Sequence, residues 1–443
     1  MSLTKVSHSM ISGAAVYAAD FGASTTNTAS QNSTAIQSAI DFASQNGKTL
    51  DIEDLYDIDA PLVIQGNTGG LVEGGFTIRG ASGSLNFGFR KQTHTTYAGI
   101  DTLIYLELPS GATYTSNITI SNLWINGDID GDQRTDLVDF AIYAPSPIST
   151  VVIEDCSLSA KTCIDFYNAF IYTIRRVNMW PKNKGIRIQS GTTGRIEECF
   201  VQSALLIAYE LWGEYSSIAS CACDGAEGVA YYFRGGSWQA GGLGCESTGL
   251  AQQVVYVREA QVSIDGMRIH HPAGEFVTVF YSEVSAHLRV SNVSFGNFTG
   301  NTTAAGYLYQ VATSSTIELS NITLSAKPFK YASAVSTSCT QRLKNIGPIS
   351  GDASKFGNLY PIAGQTYGDF DQFLGAGSSV KGAAIYFGGS DTNPAADATI
   401  RFDDGVPLHS IILNTRGSVA ATYGWICTAT AATISASTFV AWV

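Results

Sequence analysis

The chain has 443 residues, a formal net charge of −12 and 14% charged side chains. That balance excludes nucleic acid as a partner on electrostatic grounds. No apolar run approaches the ~18 residues of a membrane span, which excludes membrane insertion. Met1 to Gly13 lack the apolar core of a signal peptide, so the eight cysteines are expected to be reduced core filler rather than disulfides. Forty-five glycines, with many small and β-branched residues, predict short strands and turns.

The first predicted element is a helix in "STAIQSAIDFASQNG", where Ile36, Ala39, Ile40 and Ala43 fall at helical spacing. Thr34 and Gln37 fit a capping box and Gly47 suits the C-terminus. Strands begin with "KTLDIEDLYDIDAPLVIQG".

A repeat follows. Leu123, Cys156, Val177, Cys199, Cys221, Cys245, Met267, Val293 and Ile322 occupy one apolar position in successive copies of a pattern such as "RIEECFVQS". From Cys156 to Met267 the spacings are 21, 22, 22, 24 and 22. Period-two alternation means strands, and a fixed period in this range means a solenoid. Two or three short strands per turn predict a right-handed parallel β-helix. Leucine-rich repeats lack their signature here. The repeat places the cysteines in one inward column. Glu154-Asp155, Arg175-Arg176 and Glu197-Glu198 then become surface charge ladders, and Asn117, Asn292 and Asn321 turn residues. "NGDIDGDQRTDLVD" carries Asp128, Asp130 and Asp132 at alternating positions. Its Gly placement is wrong for an EF-hand, so a solvated insert is expected ahead of a Ca²⁺ site. No transition metal and no cofactor is predicted.

After about residue 330 the repeat fades. "TIRFDDGVPLHSIILNTRG" and "GWICTATAATISASTFVAWV" alternate as antiparallel strands, and the apolar end "FVAWV" suggests an oligomer interface or burial within its own domain. The expected architecture is all-β. It comprises an N-terminal entry segment and capping helix (1–60), the parallel β-helix (61–330) and a C-terminal antiparallel β domain for oligomerisation or glycan binding (331–443).

Asp20-Phe21-Gly22-Ala23 followed by Thr34-Ala35-Ile36-Gln37 resembles the entry segment of bacteriophage tailspikes and capsule depolymerases of the pectate-lyase-like β-helix superfamily. The intervening "STTNTASQN" lacks the acidic residues usual there. The resemblance implies a homotrimer in the virion tail, attached to other virion tail proteins. It implies a bacterial surface polysaccharide, capsule or O-antigen, as ligand and usually as substrate of an endo-acting glycoside hydrolase.

Glycoside hydrolysis uses two carboxyl groups, about 5 Å apart for retention and roughly 6.5–9.5 Å apart for inversion. One outward stripe projects Asp224 and Glu246, diagonal neighbours on adjacent coils, as the leading acid–base pair, with Trp180, Arg268 and His270 beside them. Glu227, His271 and Glu275 adjoin it. A second stripe projects Asp165 and Glu210, two coils apart, with Arg187, Tyr232, Arg234, Tyr256 and Arg258 above or between. Ala208 is projected outward there too. Trp212, Glu214 and Trp238 are placed in loops at the far end of that strand. The tryptophans, tyrosines, arginines and His270 are the expected substrate-binding set. Two alternatives remain open: a lyase using Arg258, Arg268, Tyr256 or His270 on a uronic-acid polymer, and a trimeric adhesin that binds glycan without cleaving it.

Overall fold

The computed structural model describes residues 15–66, 75–81, 87–130, 135–246, 253–270, 278–296, 307–324, 333–334, 339–348, 372–376, 385–388, 411–414, 424–429 and 438–442. It divides into two compact units. The first holds residues 1–231 and 236–239, the second 232–235 and 240–443. The strand Val229–Glu246 contributes to both.

The first unit is a parallel β-helix. Its ladders start before residue 61: Val16 pairs with Leu50, and Thr49–Ile52 pairs with Phe76–Gly80. Coil then stacks on coil through Phe140–Glu154, Ser157–Arg175, Asn178–Ile188 and Ile207–Ala219, all in parallel register. The inward column is buried as the repeat predicts. Leu123, Cys156, Val177, Cys199 and Cys221 are no more than 2% exposed.

The residue before each of these carries the turn. Asn122, Asp155, Arg176, Glu198 and Ser220 all have φ between 51° and 54°, in the left-handed region. Side chains other than Gly, Asn and Asp enter that region at a cost. A second left-handed column runs through Asn117, Thr150, Ile171, Thr193 and Tyr215. The expected charge ladder forms at the first column. Arg175 Nε donates to Glu154 Oε2 at 2.5 Å, and Arg176 Nε to Asp155 Oδ1 at 2.6 Å.

The helix spans Ala29–Gln45, so it starts before the expected Thr34. Its capping box is Thr28 with Gln31, because Thr28 is the last extended residue and its side chain accepts from Gln31 N. That frees Gln37 for another task. Its amide accepts from Val63 N and donates to Val63 O, both at 2.8 Å. One side chain thus satisfies a backbone pair of the strand Leu62–Gln65 and blocks an otherwise open edge. Ser33 Oγ accepts from the amides of Asp59 and Ala60 in the same manner.

In the second unit Gln253–Arg258, Thr278–Glu283 and Tyr307–Val311 form one parallel ladder. Ala260–His270, His287–Phe295, Thr316–Leu324 and Cys339–Pro348 form another. The inward column continues with Cys245, Met267, Val293 and Ile322, none above 3% exposed. Asn292 and Asn321 are left-handed turn residues, as expected. Parallel pairing therefore persists to residue 348, past the expected boundary at 330. Beyond it, Gln372–Ala376 runs antiparallel to Cys339–Pro348. Ile411–Asn414, Gly424–Ala429 and Thr438–Trp442 pair antiparallel in turn, while Ile385–Gly388 joins Ile411–Asn414 in parallel. Among the described residues no helix is long and apolar enough to cross a membrane. Cys156, Cys163, Cys199, Cys221, Cys223 and Cys245 are buried free thiols.

Candidate functional site

In the first unit, inward Ile164, Phe166, Ile186, Ile188, Tyr209 and Leu211 fix the register of three successive strands. Alternation then places Asp165, Arg187 and Glu210 opposite one another in one outward column. Although outward, Asp165 is 1% exposed and Glu210 5% exposed. Arg187 lies between them, with Nη1 3.3 Å from Asp165 Oδ2 and Nε 3.4 Å from Glu210 Oε2. Gln189 Nε2 donates to Asp165 Oδ1 at 2.8 Å, and Lys184 Nζ donates to Glu210 Oε2 at 2.6 Å.

Burial is the largest influence on Asp165 and raises its pKa above the usual carboxylate value. The Gln189 hydrogen bond and the Arg187 charge oppose it without cancelling it, and Glu210 adds to the rise. Two coils separate the backbones of Asp165 and Glu210 by roughly 9–10 Å. Both carboxylates contact the one Arg187 guanidinium that lies between them.

Aromatic rings continue the column on its other side. Tyr143 pairs with Asp165 and with Tyr105. The Tyr105 and Tyr143 rings are 5.8 Å apart edge to face, Tyr97 is 5.0 Å from Tyr105, and Phe140 stacks on Tyr143 at 4.4 Å. Sequence reasoning overlooked Tyr105, Tyr143 and Lys184. The signal for Tyr143 was its place in "FAIYAP", one coil before "CIDFYN", but the insert between residues 127 and 138 hid the period.

Trp212 and Glu214 lie on the strand Ile207–Ala219, not in a loop. Trp212 is two residues beyond Glu210 and shares its outward face. Ala208 is fully buried, which corrects its projection as an exposed outward residue. Trp238 is 1% exposed, which corrects its assignment as a sugar-binding side chain. It is core, and its ring packs close enough to Gly213 that an added Cβ would sit 3.2 Å from Cζ2.

On the other stripe Trp180 Nε1 donates to Gln202 Oε1 at 2.6 Å, and Gln202 pairs with Asp224. Asp224 belongs to the first unit and Glu246 to the second, so neither unit alone brings the leading pair together.

In the second unit the expected tyrosine stripe forms a ladder. Tyr232 stacks on Tyr256 at 4.5 Å and Tyr256 on Tyr281 at 5.1 Å. Tyr281 extends what the sequence indicated. Its hydroxyl donates to Glu283 Oε2 at 2.8 Å, and the Tyr256 hydroxyl donates to the other oxygen of Glu283. Arg258 Nε is 3.9 Å from Glu283 and 3.5 Å from Glu259. Burial and the hydrogen bond to Glu283 push the Tyr281 phenol up to about 12 and the Tyr256 phenol higher still. Arg234 and Arg268 are exposed, and His270 Nδ1 lies 2.9 Å from Glu246 Oε1. His271, Glu275 and Asp132 lie outside the described residues. Among the described residues no group of three or more His, Cys, Asp or Glu is arranged to hold a metal ion.

No protein-family model and no curated protein matches the sequence. Solved structures do match. The gp42 tailspike of Acinetobacter phage vb_AbaP_AS12 aligns with a TM-score of 0.60 at 13% identity, covering 97% of this chain and 82% of that one. PfbA, a surface adhesin of Streptococcus pneumoniae, aligns with a TM-score of 0.54 at 11% identity, covering 81% of this chain and 97% of that one. The chain therefore has a parallel β-helix fold similar to that of a phage tailspike and of a bacterial surface adhesin.

Proposed function

We propose that the protein is a phage tailspike that binds bacterial surface polysaccharide and cleaves it as an endo-acting, inverting glycoside hydrolase. The observation that carries this reading is the Asp165–Arg187–Glu210 column. It sets two carboxylates on either side of one guanidinium, on strands two coils apart, and burial favours the protonated form of one of them; in this reading the pair acts at the inverting separation of roughly 6.5–9.5 Å. In this reading Asp165 protonates the leaving glycosidic oxygen, while Glu210 takes a proton from the water that attacks the opposite face of the sugar. Arg187 and Lys184 orient the carboxylates. Tyr105 and Tyr143 in the first unit, and the Tyr232–Tyr256–Tyr281 ladder with Arg258 in the second, offer aromatic edges and hydrogen-bonding groups to the polymer. The family likeness adds a homotrimer docked on other tail proteins.

The fold shared with a surface adhesin supports a second reading, glycan binding without cleavage. A lyase is less well supported. Of its four candidate residues, Arg258, Arg268, Tyr256 and His270, Tyr256 has its phenol pushed up by burial and Glu283, which disfavours the phenolate that would abstract a proton. Incubation with purified capsule and O-antigen polysaccharides separates the three readings. A fall in polymer size with saturated ends supports the hydrolase, unsaturated ends indicate a lyase, and binding at constant size an adhesin.

A further inference from the structure

Beside the carboxylate column the chain builds a ledge that neither folding nor the acid–base chemistry explains. Tyr167 lies two residues after Asp165 and is 55% exposed. Ile171 follows at the corner of the same coil, 58% exposed with φ 51°. Two coils on, Trp212 lies two residues after Glu210, and Tyr215 follows at the corner, 82% exposed with φ 51°. The coil between carries Gln189 and Thr193 at the matching positions. Two ridges, roughly 9–10 Å apart, the second carrying exposed Glu214 between its two aromatic residues, thus flank a polar floor.

The backbone requires a left-handed residue at Ile171 and Tyr215, since Thr150 and Thr193 in the same column share that conformation. It does not require these residue types. Asn or Gly would adopt the conformation with less strain, and an exposed side chain contributes little core packing. A β-branched residue and an aromatic held there, in water, point to a role in contact with something else.

We propose that Tyr167, Ile171, Trp212 and Tyr215 form a polysaccharide-binding ledge that seats the glycan chain across Asp165 and Glu210. The aromatic and aliphatic ridges take the apolar C–H faces of two sugar residues, and Gln189 and Thr193 in the floor exchange hydrogen bonds with hydroxyls between them. A glycan fits better than a second copy of this chain because the ridges continue directly into the carboxylate column on the same strands. The proposal rests on the reading of the chain as acting on polysaccharide but not on cleavage.

The test uses the full-length protein on an immobilised panel of purified bacterial capsular and O-antigen polysaccharides. Tyr215→Gly and Ile171→Asn relieve the backbone strain, so both variants are expected to melt at or above the parent's temperature. Tyr215→Gly and Tyr167→Ala are expected to bind about tenfold more weakly or worse. Binding lost while stability is gained is a signature that a purely structural role would not give. Unchanged binding in both Tyr215→Gly and Tyr167→Ala overturns the ledge, even if Asp165→Asn abolishes cleavage and so supports the carboxylate assignment. A changed oligomeric state in Tyr215→Gly with unchanged binding assigns the surface to a second copy instead, and binding of the parent to no polymer on the panel also overturns it.

Discussion

Gln189 donates a 2.8 Å hydrogen bond to Asp165 across one coil of the β-helix. The bond favours the ionised carboxylate, while burial of Asp165 works the other way and prevails. The sign of the pH dependence follows. A carboxyl whose folded pKa is raised contributes stability below its unfolded value of about 3.9 and loses it as pH rises through the folded value. As a general acid it must also be protonated, so cleavage should decline as pH rises through the same folded pKa. Gln189→Leu removes a bond to the charged form and should move that alkaline limb to higher pH. A pH–rate profile of kcat for parent and variant checks this, and a limb that stays put or moves down contradicts it.

His94 clamps an inserted loop to the coil beneath it. Its Nδ1 lies 2.5 Å from Asp101 and its Nε2 2.6 Å from Asp136, while buried Lys91 holds the other oxygen of Asp101 at 2.7 Å. The bonds to Asp101 and then Asp136 raise the His94 pKa. The clamp should therefore stabilise fully below about pH 6.5 and weaken as pH rises through the folded value. The imidazole is 41% exposed, so solvent screening keeps the effect small. Thermal melts from mildly acidic to alkaline pH should show a gradual loss in the parent that His94→Gln flattens.

Glu198 is exposed and left-handed, with φ 54°. Replacing it with Asn, as already found at Asn122, Asn292 and Asn321, should stabilise the fold by about 0.5–1 kcal/mol. Chemical denaturation of Glu198→Asn measures this. A loss of stability would mean that the carboxylate's attraction to Arg176 outweighs the strain.

Trp238 is buried against Gly213. Trp238→Ala should cost about 3–5 kcal/mol and leave polysaccharide affinity unchanged in whatever fraction remains folded. A stable variant with weakened binding would return this residue to the surface role first expected of it.

The register of the β-helix was readable because an inward side chain recurs at a nearly fixed interval, and Cys156, Cys199 and Cys221 occupy equivalent positions in it. The same period correctly projected Asp165, Arg187 and Glu210 onto one column. It failed where chain direction, not period, decides. Ala208, projected outward, is buried, and Trp238, placed in a loop, is buried on the strand Val229–Glu246, because local register and strand length are not fixed by a coil-to-coil spacing. The helix start was misplaced for a related reason. Thr34-x-x-Gln37 has the letters of a capping box, but Thr28-x-x-Gln31 has them too, and only the fold reveals that Gln37 is engaged by Val63. The partners of Glu210 were hidden as well, since Lys184 sits 26 residues away and is apposed only when the coils stack.

The stereochemistry of cleavage tests the central claim most directly. A polysaccharide that the parent depolymerises is digested and followed by proton NMR from the first turnovers. The account predicts that each new reducing end first appears in the anomeric configuration opposite to that of the bond cut. It also predicts that Asp165→Asn and Glu210→Gln each lose about 10²–10⁴-fold in rate while remaining folded. Retained configuration, unsaturated ends, or near-parental rates in both variants would contradict it.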